Sequence, residues 1–243
     1  MMKISDKFST VYGDYYRDQQ VLRKREISGR QTISHLLSIL PKKIFDSLLD
    51  VGAGDGSVLS EIEKTGLAKN LYAVEISQSG CETIASRELK SLRSVKQFDG
   101  YRIQDENNVY ELGLAIHVLE HVEHERAFLS EISRVAQFLY MEVPLELTLS
   151  VNKAIKTGGI YGHINFYTPE TFVNLLETAN LKVINFKVFS NTLEYECFIG
   201  GKIKGSIKWF IRKLFLYIAP HKAPFFITYM GGAFCTKKES DTV

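Results

Sequence analysis

Little in this chain suggests a stapled or exported architecture. Its 243 residues hold three cysteines, Cys81, Cys197 and Cys235, odd in number and with no C-x-x-C pair. That set supplies neither a disulfide framework nor a zinc site, and it fits a reducing compartment. The opening Met-Met-Lys-Ile-Ser-Asp-Lys puts charges where a signal peptide needs an apolar core. No uninterrupted apolar run is long enough to span a bilayer, so a cytoplasmic protein is expected. Strong charge of one sign is lacking too: the net charge of +2 falls short of the basic footprint of nucleic-acid binders. DNA is therefore not expected as a partner, and RNA is disfavoured. There is no internal repeat and no low-complexity linker.

What is present is enough apolar sequence for a sizeable core, 45% of residues against 24% charged, with no disorder signature. Ile33, Leu36, Leu37 and Leu40 recur at helical spacing until Pro41. Short strands and helices then alternate. Strands are predicted at 47–51, 70–76, 94–98, 111–118, 138–143 (closed by Pro144), 181–189 and 225–235. Helices are predicted at 58–65 (stopped by Gly66), 82–92, 125–135 and 169–179, the last with Thr168 as N-cap. Such alternation predicts an α/β fold, with parallel β-α-β units and helices on both faces. Ligands in such sheets bind beyond the carboxyl ends of the strands, so the residues just after each strand carry the functional argument.

The strongest of these segments is Leu48-Leu49-Asp50-Val51-Gly52-Ala53-Gly54-Asp55-Gly56-Ser57. A strand runs into three glycines at alternate positions and then into a helix. Glycine serves where the chain turns sharply and a ligand must approach bare backbone. Glu75 closes the next strand, about twenty positions on, where an acid can accept hydrogen bonds from two ribose hydroxyls. Nicotinamide-cofactor domains use the same acid, so Glu75 alone does not discriminate. The loop does: a dinucleotide fingerprint is G-x-G-x-x-G, and Ser57 stands where its last glycine would be.

With Phe98-Asp99-Gly100 and His117-Val118-Leu119-Glu120-His121-Val122, these segments resemble the class I S-adenosylmethionine-dependent methyltransferases over roughly residues 45–190. The nearest branch is that of ubiquinone-type and bacterial small-molecule methyltransferases, a likeness extended by Gly162-His163-Ile164-Asn165-Phe166-Tyr167-Thr168-Pro169. The resemblance implies a three-layer Rossmann-like sandwich, its seven-stranded sheet mostly parallel with an antiparallel last strand. It implies S-adenosylmethionine as donor and S-adenosylhomocysteine as product. Gly52, Ala53, Gly54 and Gly56 would wrap the methionine portion, and Asp50 would orient its amino-acid end. Glu75 and Ile76 would meet the ribose, Asp99 and Gly100 the adenine, and His117 would lie beside the cofactor. The alternative for Asp50 is a turn cap, and for Asp99 a surface turn.

Some relatives hold a divalent metal with Glu-x-x-Glu-His at the end of strand 4. Here His117 replaces the first Glu, which speaks against magnesium because hard cations prefer oxygen ligands; no metal is expected. A softer ion on His117, Glu120, His121 and His163 is the alternative. For a hydroxyl acceptor a histidine is the natural base, and His121 and His163 are the candidates. His35 and His221 read as structural or surface groups, and Arg23-Lys24-Arg25 with Arg30 as a solvated helix face.

The expected organisation is one domain over 1–243. It comprises a helical cap at 1–44, in which Tyr12-Gly13-Asp14-Tyr15-Tyr16 could close over the cofactor, a cofactor core at 45–190 and a helical insertion at 200–224. In the insertion Ile203, Ile207, Phe210, Leu214 and Ile218 form an apolar face. Lys202, Lys208, Arg212 and Lys213 lie around the other side with Trp209, Phe215 and Leu216. A lid, a homodimer contact through 202–219 and a membrane-interface helix all suit that pattern. The function expected is methyl transfer to a small-molecule hydroxyl; the alternatives are metal-assisted RNA 2′-O-methylation and a cofactor-binding scaffold without turnover.

Overall fold

A computed structural model describes residues 19–41, 44–157 and 162–238; the aromatic segment at 12–16 lies outside them. Helix α1 (Gln19–Leu37) precedes strand β1 (Phe45–Val51), and α2 (Ser57–Thr65), β2 (Ala68–Glu75), α3 (Gln78–Ser86), β3 (Leu92–Gln97) and β4 (Tyr110–Ile116) follow. A one-turn 3-10 helix at Leu119–His121 leads to α4 (Glu125–Val135), β5 (Ala136–Leu145), α5 (Val151–Lys156), α6 (Pro169–Thr178) and β6 (Leu181–Phe189). The chain closes with α7 (Leu193–Gly200), α8 (Lys202–Ile218), α9 (Ala223–Phe226) and β7 (Tyr229–Lys237).

The seven strands form one sheet in the order β3-β2-β1-β4-β5-β7-β6. The five from β3 to β5 run parallel, and β7 pairs antiparallel with both β5 and β6. This is the Rossmann-like methyltransferase architecture. Side chains alternate across each strand, so neighbouring residues feed opposite cores. Leu48 packs with Ile33, Leu36, Leu59, Ile62 and Ile84 of α1, α2 and α3. Leu49 packs with Phe128, Leu129 and Ile132 of α4 and Phe172 and Leu176 of α6. The sheet therefore has helices on both faces, and its parallel strands send their carboxyl ends to one rim.

Several boundaries differ from the sequence pattern, for local reasons. Helix α3 begins four residues earlier than expected because the Ser77 hydroxyl caps it, accepting from the Gly80 N–H at 3.1 Å. Pro144 does not close β5 but lies inside it, opposite Met230. Pairing with β4 ends at Glu142, so at Pro144 the strand has a neighbour on one side only, where a missing N–H is tolerated. Phe225 and Phe226, expected in the last strand, belong to α9 instead. Thr168 caps α6 as expected, in a reciprocal capping box with Thr171.

Candidate active site

Strand β1 ends at Val51, and the Gly52 and Ala53 N–H groups both turn back to the Val74 carbonyl, at 2.8 and 3.3 Å. Gly52, Gly54 and Gly56 have φ of 76°, 60° and 76°, the left-handed region where a Cβ is strained. At Gly52 a Cβ would also lie 2.7 Å from Cγ2 of Val118. The missing side chain thus lets the turn after β4 close against the loop after β1. Gly56 is the N-cap of α2.

Glu75, 4% exposed, is tied into this loop. Its Oε2 accepts from the Gly54 N–H at 3.0 Å, and its Oε1 accepts from the Ser77 N–H and hydroxyl, both at 3.0 Å. Helix α3 packs so closely here that a Cβ on Gly80 would come within 2.7 Å of the Glu75 Cγ and 2.8 Å of the Gly54 carbonyl. A second brace forms around Asp55. Its carboxylate pairs with Arg25 of α1 at 2.9 Å and with Arg87 at 2.7 Å, and accepts from the Ser57 hydroxyl at 2.6 Å. Burial opposes the charge on Asp55, but the two guanidiniums and Ser57 outweigh it and hold the carboxyl below its ordinary range. Arg25 is accordingly not part of a solvated face, as the sequence suggested; it reaches across to the glycine loop.

Asp50 is buried, and among the described residues no basic group pairs with it. Desolvation, reinforced by the charges of Glu75 and Asp55, pushes its carboxyl up to about 7. Three carboxyl groups thus crowd the loop, and among the described residues their basic partners lie on Asp55 alone, so the surroundings of Asp50 favour a cation. The ammonium and sulfonium of S-adenosylmethionine fit that requirement. The Ile76 carbonyl accepts from Gln97 Nε2 at 2.8 Å. Asp99 is half-buried, and its Oδ1 accepts from the Tyr101 and Arg102 N–H groups at 2.9 and 2.7 Å. The surface-turn alternative thus describes one of its oxygens. Gly100, at φ 90° and buried, completes the turn.

The histidines gather beyond β4 and β5. His117 holds a left-handed φ of 55°, uncommon for a residue with a side chain. Its Nδ1 lies 3.4 Å from Glu120 Oε1 and its Nε2 3.7 Å from Glu142 Oε1. Burial works against the imidazolium, yet these two carboxylates raise His117 above its ordinary value. Glu142 is fully buried and also takes His35 Nδ1 at 3.1 Å, the Tyr140 hydroxyl at 2.6 Å and the Thr32 hydroxyl at 3.3 Å. His35, stacked on Phe189 with ring centroids 4.2 Å apart, is structural, as expected.

The segment at 162–167 is latched onto the Leu119–His121 turn. Backbone N–H groups of Ile164 and Asn165 donate to the Glu120 carbonyl at 2.8 and 3.1 Å. Asn165 Nδ2 donates to the Leu119 and Val122 carbonyls at 2.9 and 2.7 Å, and the Tyr167 hydroxyl reaches Leu119 at 3.1 Å. This clasp brings His163 edge-on to His121, ring centroids 4.7 Å apart. His163 Nδ1 bonds Glu146 Oε2 at 2.6 Å, and His121 Nδ1 lies 3.2 Å from the Gly162 carbonyl. A carbonyl can only accept, so Nδ1 of His121 carries the proton and Nε2 is its basic nitrogen. Burial, opposed by Glu120 and assisted by the other histidines, lowers His121 below its ordinary value.

Glu120, His121 and His163 present ligand atoms within 4.8 Å of one another, and Glu120 Oε2 is buried without a hydrogen-bond partner. Two imidazoles and one carboxylate suit a borderline ion better than magnesium. Burial opposes the charge on Glu120, but His117 and His121 keep its carboxyl below the ordinary range.

Comparison with known proteins decides the family. The methyltransferase-domain family profile matches residues 22–185. The chain belongs to the class I S-adenosylmethionine-dependent methyltransferases. No curated protein matches it. Solved structures share its fold at low identity. A complex of the Haloferax volcanii Trm112 methyltransferase activator with a methyltransferase matches at 13% identity and TM-score 0.67, over 97% of this chain and 100% of that one. Magnesium protoporphyrin IX methyltransferase from Synechocystis PCC 6803, with bound S-adenosylhomocysteine, matches at 13% and 0.61, over 96% and 97%. Geranyl diphosphate C-methyltransferase from Streptomyces coelicolor A3(2) matches at 12% and 0.61, over 85% and 78%.

Within this methyltransferase, sequence reasoning missed Arg25, Gly80, Glu142, Glu146 and Asn165. A signal existed for the two acids. Glu142 and Glu146 interrupt an otherwise apolar run at the end of β5, and a charge in such a strand is worth asking about. Nothing local marks Asn165, whose role depends on a partner 46 residues away, and Gly80 is set by the Gly54 carbonyl 26 residues away as well as by its neighbours Glu75 and Ser77.

Proposed function

We propose that this methyltransferase transfers the methyl group of S-adenosylmethionine to a hydroxyl of a small molecule, with His163 as the base. The observation that carries this reading is the Glu146–His163–His121 array at the rim of the sheet. The Glu146 carboxylate fixes Nδ1–H of His163 as donor and leaves Nε2 to accept a proton, the arrangement that activates hydroxyl nucleophiles. His121, neutral because burial lowers it, stands beside His163 without adding a second positive charge as the proton arrives.

In this reading the glycine loop receives the donor. Gly52, Ala53, Gly54 and Gly56 bound the methionine portion, Asp50 faces its cationic end, and Glu75 with Ile76 meets the ribose. Asp99 and Gly100 meet the adenine and His117 lies alongside. When bound, S-adenosylmethionine supplies a methyl group on a sulfonium, a leaving group that departs neutral. The protein's part is to align the acceptor oxygen in line, exclude water and take the hydroxyl proton. Positioning of this kind contributes about 7–11 kcal/mol at best, and a base a further 10²–10⁴-fold or so. The chain acts in the cytoplasm and uses no metal in this reading.

The test is transfer of a labelled methyl group across a panel of hydroxylated small molecules, with a short RNA as a separate arm. His163→Ala should lower kcat by about a hundredfold or more while leaving S-adenosylhomocysteine affinity unchanged. Turnover that vanishes in excess chelator, or label that enters the RNA alone, would overturn the metal-free small-molecule reading in favour of metal-assisted 2′-O-methylation.

A further inference from the structure

The insertion between β6 and β7 is built inside out. Helices α7 and α8 cross at Gly205, where a Cβ would collide with the Glu196 carbonyl. The side of α8 facing the protein carries Gly205, Trp209, Arg212, Phe215 and Leu216. Arg212 is 5% exposed, pairs with Glu196 at 3.3 Å and stacks over the Tyr229 ring at 4.9 Å, while Phe215 and Leu216 pack on the main core. The regular apolar face is therefore turned to solvent. Ile203 is 78% exposed, and Ile207, Phe210, Leu214 and Ile218 follow it along the same side. Large apolar side chains at every turn of an outward face are not ordinary surface composition.

Charge is distributed around this stripe with one sign. At 3.6 residues per turn, Lys202 and Lys213 fall on one margin of the stripe and Lys204 on the other. From Cys197 through Lys238 the chain has no Asp or Glu and eight Lys and Arg residues, so the remainder of a chain of net charge +2 is net acidic. Further exposed apolar side chains lie beside the inward side of α8. Phe226 of α9 lies 5.9 Å from the Phe215 ring, and the Phe225 carbonyl accepts from the N–H of Leu149, an exposed residue just after β5.

We propose that α8 docks this methyltransferase on an anionic lipid surface. An apolar stripe bordered by lysines matches such an interface: the side chains enter the acyl boundary and the ammonium groups stay among the headgroups. A second copy of the chain suits it less well, because a two-fold contact would set lysine margin against lysine margin with no carboxylate to answer them. Among the described residues no helix is long and apolar enough to cross a membrane, so α8 lies in the interface plane. The inference stands on the insertion alone and does not depend on the hydroxyl-acceptor reading.

Vesicle flotation of the full-length protein tests it. Vesicles of phosphatidylcholine with about one-third phosphatidylglycerol should carry the protein, and pure phosphatidylcholine vesicles should not. Each lysine near the surface contributes about fivefold in partitioning, so Lys204→Ala with Lys213→Ala should lose about 25-fold. Phe210→Ser with Leu214→Ser should lose more than about tenfold. All four side chains are exposed, and unchanged thermal melting with unchanged S-adenosylhomocysteine affinity would show that the variants fold. Failure to float with anionic vesicles would overturn the proposal, as would flotation that neither pair of substitutions weakens. A stable dimer abolished by Phe210→Ser with Leu214→Ser would overturn it in favour of self-association.

Discussion

Cofactor binding by this methyltransferase should expel protons near neutral pH. Asp50 is buried, its neighbouring charges are the carboxylates of Glu75 and Asp55, and its carboxyl is pushed up to about 7. In the empty protein it is thus about half protonated at neutral pH. The cationic end of S-adenosylhomocysteine favours the carboxylate, so binding must release what proton remains. At pH 7 that is about half a proton per ligand, and at pH 6 nearly a whole one. If Asp50 is ionised throughout in the complex, affinity falls about tenfold between pH 8 and pH 6, close to 1.4 kcal/mol. The sign is fixed: tighter binding as the pH rises through the Asp50 value, then a plateau. Isothermal titration in buffers of different ionisation enthalpy counts the protons directly. Asp50→Asn should abolish both the proton release and the pH dependence, and weaken binding by roughly 1.5–3 kcal/mol through loss of a charged hydrogen bond. Wild-type affinity flat from pH 6 to pH 8, with no buffer-dependent heat, would refute the placement of a cation at Asp50.

Gly80→Ala should lower stability by about 1–3 kcal/mol by forcing a methyl group into the Glu75 side chain and Gly54 backbone; a melting temperature and cofactor affinity both unchanged would show that α3 can retreat freely. Asn165→Ala leaves the Val122 carbonyl without its donor and the Leu119 carbonyl with one fewer, and loosens His163 from His121. It should cost about 1–3 kcal/mol in stability and lower kcat with little change in cofactor affinity. A pH–rate profile that keeps its wild-type shape in this variant would sink the positioning role. With His121 lowered by burial, the acid limb of its own ring-proton NMR titration should fall below the ordinary histidine value of about 6.5. A limb clearly above that value would contradict the neutral-His121 assignment.

The glycine loop, the acid ending β2 and the succession of the seven strands were legible in the sequence, because each depends on residues within one strand–turn–helix unit, whereas the short helices α5, α7 and α9 were not. Three alternate glycines after an apolar strand can do little else than turn it. The α6 cap and the Glu125–Val135 helix could be read to the residue for the same reason. What the sequence could not disclose were relations between segments far apart. The amphipathic face of α8 was visible, but not that it points outward; that was decided by Arg212 finding Glu196 and by Gly205 admitting α7. Arg25 resembled any cation on a helix until folding placed it against Asp55. His121 and His163 were separate candidates until Asn165 joined their segments, and Glu146 acquired a role only when β5 delivered it to His163. Local chemistry fixes turns and periods, whereas burial, pairing and the direction a helix faces are properties of the packed whole.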